Sequence, residues 1–86
     1  MKYQLSRGVT IERVDGQSIM ITEAGDAAVL NETAGYILDH LLNGEKIDTI
    51  VQSTLQNYEV EYSVVTKDIE ALLLALKNKG LIISIT

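Results

Sequence analysis

Eighty-six residues are enough for one modest hydrophobic core and not for two, so residues 1–86 are read as a single domain. A hydrophobic fraction of 47 % excludes intrinsic disorder, and the absence of cysteine excludes a disulfide framework and a thiolate metal site. The net charge is −5, and residues 31–62 carry all of it, with six acids (Glu32, Asp39, Glu45, Asp48, Glu59, Glu61) against Lys46 alone, a balance that would repel a nucleic-acid duplex.

The first thirty residues read as strands. Val9-Thr10-Ile11-Glu12-Arg13 alternates apolar with polar, as a half-buried strand does. Asp15-Gly16 is a two-residue hairpin signal, because the tight primed turn needs positive φ. Ser18-Ile19-Met20-Ile21-Thr22 returns as the second strand, Ala24-Gly25-Asp26 turns again, and Ala27-Ala28-Val29-Leu30 makes a short third strand. Tyr3-Gln4-Leu5 fits either an extension of the first strand or a loosely packed segment.

The chain then changes to helical period. Asn31 is a suitable N-cap with Glu32 in the first turn, Ala34, Ile37, Leu38 and Leu41 share one face, and Asn43-Gly44 ends the helix. A second helix is predicted over residues 46–58, with Ile47, Ile50, Val51, Leu55 and Tyr58 at helical spacing. The third is predicted over residues 65–79, capped by Ser63 and stopped by Gly80, and Leu81-Ile82-Ile83-Ser84-Ile85 follows as a short strand or an apolar tail. Strands followed by helices define an α+β class. The expected architecture is winged helix-turn-helix-like: a three-stranded antiparallel sheet followed by three helices.

The third helix has more apolar surface than one small core uses. At about 100° per residue, Val65, Ile69, Leu72, Leu73 and Leu76 form the core stripe, while Ala71 and Leu74 point away, beside Lys67, Ala75 and Asn78. A surface helix ordinarily carries charge there. A DNA reader would carry Arg, Asn or Gln for base edges in place of Ala71, Leu74 and Ala75, and Lys67 is offset by Asp68 and Glu70. A winged-helix DNA-binding regulator is therefore the alternative function. The strip instead fits a peptide groove, with an open edge of the third strand as the template onto which an extended peptide adds. Packing against residues 81–85, or against a second copy as a homodimer, accounts for the strip equally well at this stage.

Catalysis has little footing in the sequence. His40 is the sole histidine and lies late in the first helix, where a capping or exposed role suits it. No His or Asp cluster has metal-ligand spacing, the six glycines form no phosphate loop, and Glu59 and Glu61 have no apolar pocket beside them. No enzyme activity, metal or cofactor is expected. No opening segment reads as a secretory leader and no apolar run reaches the length of a membrane span, so a cytoplasmic protein without a membrane partner is expected.

Two stretches carry a family likeness. Leu30-Asn31-Glu32-Thr33-Ala34, then Ile37-Leu38 and Leu42-Asn43-Gly44, resembles the LN-x-x-A…IL…L-x-G stretch of the PqqD-like proteins, the RiPP recognition elements. Lys67-Asp68-Ile69, the Leu72-Leu73…Leu76 spacing and Lys79-Gly80-Leu81-Ile82 resemble that family's D-[VI]…L…L-x-x-x-GL[IV] ending. The similarity as a whole spans about residues 9–83. The resemblance implies that the leader segment of a ribosomally made precursor peptide adds as a strand beside the third strand, against the third helix. It implies no catalysis, and a partner that modifies the precursor, such as a radical-SAM protein or a leader peptidase. Carried onto this chain, the groove residues are Ala27, Ala28, Val29, Leu30, Lys67, Asp68, Ala71, Leu74, Ala75 and Asn78. Ala27-Ala28 departs from many lasso-type relatives, which carry aromatic residues just before the LN, and so weighs against the lasso subtype.

Overall fold

Asp15 and Gly16 carry the chain through its first hairpin with φ of 51° and 80°, the pair of positive values that a primed turn requires. The computed structural model describes residues 2–85. The hairpin joins β2 (Thr10–Val14) to β3 (Gln17–Ile21), and a second turn leads to β4 (Ala27–Leu30); the three form an antiparallel meander in the order β2-β3-β4. Three helices follow, α1 (Glu32–Leu42), α2 (Ile47–Asn57) and α3 (Tyr62–Asn78). This is the expected α+β order of a three-stranded sheet followed by three helices.

The ends of the described chain add a second sheet. β1 (Lys2–Leu5) pairs antiparallel with β5 (Ile82–Ile85), from Lys2 opposite Ile85 to Leu5 opposite Ile82. Tyr3-Gln4-Leu5 therefore neither extends the first hairpin strand nor packs loosely, and the apolar end is a strand. Tyr3, Leu81 and Ile82 are buried, so this small sheet closes one side of the core.

The third helix begins at Tyr62, with Glu61 as N-cap and no side-chain cap bond, so Ser63 lies inside the helix and is not its cap. Its core stripe is as the period requires: Val65, Ile69, Leu73 and Leu76 are buried and Leu72 is half-buried. On α2, Thr54 joins Ile50 and Val51 inside, its hydroxyl donating to the Ile50 carbonyl at 2.7 Å, while Ile47 stays exposed. That back-bond lets a hydroxyl occupy an apolar face at low cost.

α1 lies close on the sheet at Gly35, where a Cβ would stand 2.5 Å from Ser18 Oγ. That hydroxyl is buried and finds no protein partner. Ser18→Ala should therefore stabilise the fold by about 1 kcal/mol, because it removes an unsatisfied polar group without opening a void of any size. A thermal melt would show a rise of about 4–8 °C in a domain of this length; a fall would mean that the hydroxyl is satisfied.

Candidate functional site: an open strand edge beside α3

β4 is hydrogen-bonded to β3 on one edge only; among the described residues no strand occupies the other. Which groups face outward follows from the turn before it. The Thr22 N–H donates to the Asp26 carbonyl at 2.9 Å, and the Asp26 N–H donates to Thr22 Oγ1 at 3.1 Å. Antiparallel pairs alternate between hydrogen-bonded and non-bonded. Counting in register from that pair, Ala28 and Leu30 bond with Met20 and Ser18, and Ala27 and Val29 turn their N–H and C=O groups to the open edge. Side chains alternate too: Ala28 and Leu30 are buried, Ala27 is exposed, and Val29 is 62 % exposed.

The chain leaves β4 directly into α1. Asn31 caps it, Oδ1 accepting from the Ala34 N–H at 2.8 Å. α1 packs against both β4 and α3 and so sets the third helix beside the open edge. Two recesses result, one at each end of β4. The first, about 350 Å³, is bounded by Asn31, Thr33, Ala34 and Ile37 on the α1 side and by Asp68, Ala71 and Leu72 of α3. The second, about 400 Å³, is lined by Thr22, Asp26 and Ala27 at the start of β4 and by Lys79 and Leu81 after α3. α3 therefore runs antiparallel to β4, its middle near Asn31 and its end near Ala27.

This geometry sorts the sequence-derived residues. Asp68 and Ala71 line the first recess and Ala27 the second. Ala75 is exposed and lies four residues from both Ala71 and Lys79, hence on the same side of the helix. Val29 supplies an outward backbone, whereas Ala28 and Leu30 face β3 and the core. Lys67, Leu74 and Asn78 are exposed and line neither recess; Leu74, 62 % exposed, sits about 60° round the helix from Ala71. β5 leaves Leu74 uncovered, so the C-terminal segment does not account for the apolar strip. The α1 wall (Thr33, Ala34, Ile37) and Lys79 were not read as site residues from the sequence, because Ala34 and Ile37 also fit a core face and Lys79 fits a helix end.

His40 stands elsewhere, on the α1–α2 side. Its Nδ1 hydrogen-bonds Glu45 in the following loop, and its ring lies against Tyr36 with centroids 4.4 Å apart. The Tyr36 hydroxyl meets Ser53 Oγ at 2.6 Å. These bonds tie α1 to α2 and to its own exit loop. On the sheet side, Arg13 pairs with Asp39 of α1, and that hydrogen bond raises the guanidinium pKa above its ordinary value. Among the described residues no group of three or more His, Cys, Asp or Glu is placed to hold a metal ion, and no helix is long and apolar enough to cross a membrane.

A small α+β fold with an open strand edge, an adjoining helix and a recess at each end defines a class of protein built round a groove. The chain belongs to the PqqD family, the RiPP recognition elements: the family model described as coenzyme PQQ synthesis protein D matches residues 16–82. It is similar to the structure of lasso peptide synthetase B1 complexed with the leader peptide, with 27 % identity, a TM-score of 0.88, and coverage of 98 % of this chain and 100 % of that one. It is also similar to TbiB1 in complex with the TbiA(beta) leader peptide, with 25 % identity, a TM-score of 0.81, and coverage of 100 % and 99 %. No curated protein matches the chain.

Proposed function

We propose that this protein binds the leader segment of a ribosomally synthesised precursor peptide and presents it to a modifying enzyme, such as a radical-SAM protein or a leader peptidase, without itself catalysing a reaction. The observation that carries the reading is the open edge of β4, where Ala27 and Val29 offer their backbone groups between two recesses. Family membership supports it, as does the likeness to two leader-peptide complexes over nearly the whole chain. An incoming strand bonds Ala27 and Val29 and so lengthens the meander by one strand. From Ala27 to Asn31, just past the end of β4, the chain spans about 13 Å at roughly 3.3 Å per residue. Ligand side chains four positions apart, on one face, then reach the two recesses together. Ala71 and Ala75 keep that side of α3 low enough to admit them. Residues 1–86 act as one binding unit in the cytoplasm. The likeness to lasso peptide synthetase B1 extends across Ala27-Ala28, so the small pair there accompanies a lasso-like fold and weighs less on the choice of subtype.

Titration calorimetry with a synthetic leader, taken from a precursor gene neighbouring this one, is the direct test; no saturable binding would sink the reading. Leu74→Asp addresses the outer lip of the groove. It should weaken leader binding severalfold with an unchanged melt, since Leu74 is exposed and its replacement opens no cavity. Affinity equal to wild type would remove Leu74 from the binding face.

A further inference from the structure

The two recesses differ in charge. In the first, Asp68 is the one charged residue in the lining, and among the described residues its carboxylate has no ion pair. The rest of the lining combines the apolar Ala34, Ile37, Ala71 and Leu72 with the hydroxyl of Thr33. The cap bond occupies Asn31 Oδ1. Residues 31–62 as a whole hold six acids and one base. The second recess carries Asp26 and Lys79 together and has no net charge.

We infer that the first recess selects a lysine or arginine of the bound peptide, its aliphatic stem lying on Ala34, Ile37 and Ala71 and its cationic end reaching the Asp68 carboxylate. The chemistry fits each part of that side chain. A long basic residue lays its methylene stem along apolar surface and keeps its charged head at a wet rim, and Asp68 is exposed at that rim. An acidic side chain would meet Asp68 with like charge, and a short aliphatic one would leave Asp68 facing apolar surface unpaired. The neutral second recess imposes no charge of its own, so the basic position is fixed at the Asn31 end of β4. This inference names the ligand chemistry of the groove and rests on the peptide-binding reading above.

Selection from a displayed library of random twelve-residue peptides tests it, run in parallel on the wild-type protein and on Asp68→Asn and Asp68→Lys. The wild-type pool is expected to be enriched in Lys or Arg at one fixed position of the aligned peptides. Asp68→Asn should lose that enrichment, and Asp68→Lys should replace it with Asp or Glu. For one wild-type winner, changing its basic residue to Gln should cost about tenfold in affinity against wild type and little against Asp68→Asn. Aligned peptides without a basic position, or the same pool from all three proteins, would overturn the inference while leaving peptide binding in place. A wild-type selection that enriches no peptide would instead remove the binding reading itself.

Discussion

Val29→Pro is expected to weaken leader binding by about ten- to a hundredfold while the protein stays folded. The Val29 N–H faces the open edge and serves no bond within the described residues. Proline at that position removes only the donor that the proposed strand addition uses and sets its ring where the added strand would lie. Edge positions whose N–H faces solvent are those at which a sheet tolerates proline. The neighbouring substitution supplies the contrast. Ala28→Pro removes an N–H that bonds Met20 and places a ring against the ladder, so it should cost the fold about 3 kcal/mol or more. Calorimetry and thermal melts on both variants separate the two effects. Full leader affinity in folded Val29→Pro would mean that the peptide does not add to β4.

Ala71→Phe is the second substitution with a large expected effect. Ala71 is exposed and forms part of the α3 wall of the first recess. A phenyl ring there would fill the first recess, where the proposed mode of binding seats a ligand side chain. Helix propensity changes by a few tenths of a kcal/mol only, so the melt should barely move while leader affinity falls at least about tenfold. Anisotropy of a labelled leader reads the loss. Undiminished binding would place the ligand off this recess.

The parts of the fold that were legible in the sequence are those encoded within a turn or two of chain. Val65, Ile69, Leu73 and Leu76 could be assigned to the core from spacing alone, and Asp15-Gly16 marked its hairpin, because periodicity and positive φ are local properties. The same arithmetic left Ala71 and Leu74 outside, and both are exposed. What stayed hidden depends on distant partners. Nothing in Tyr3-Gln4-Leu5 announces that its ladder mate is the segment from Ile82 to Ile85, since each is a short apolar stretch with many conceivable neighbours. The start of α3 differs from the predicted residue 65 because Ser63 suits a cap by type, whereas the helix begins at Tyr62, three residues earlier, without a side-chain cap.

The candidate site was half legible for the same reason. One wall lies on a single helix: Ala71 and Ala75 could be read from its period, and Asp68 came from the family resemblance. The opposite wall arises where α1 crosses α3, and no pattern in Thr33, Ala34 and Ile37 foretells that crossing. Leu74 drew attention because it is large and apolar, yet the smaller Ala71 faces the recess. The open edge itself followed from strand order: the last strand of a meander has one neighbour unless something distant supplies another, and β5 pairs with β1 instead.

An open strand edge can pair with any strand that reaches it. Natural sheets commonly guard such an edge with lysine, proline or a bulge, and β4, reading Ala-Ala-Val-Leu, has no charged residue and no proline. Its outward pair is also self-matching: turned about Ala28, Ala27 of one molecule faces Val29 of another, and the bonding pattern closes on both sides. Two features restrain that pairing. The strand is only four residues long, and every molecule carries a charge of −5 toward its twin. The acidity that makes the chain a poor companion for nucleic acid thus has a second use, as colloidal protection for an edge whose own residues supply none.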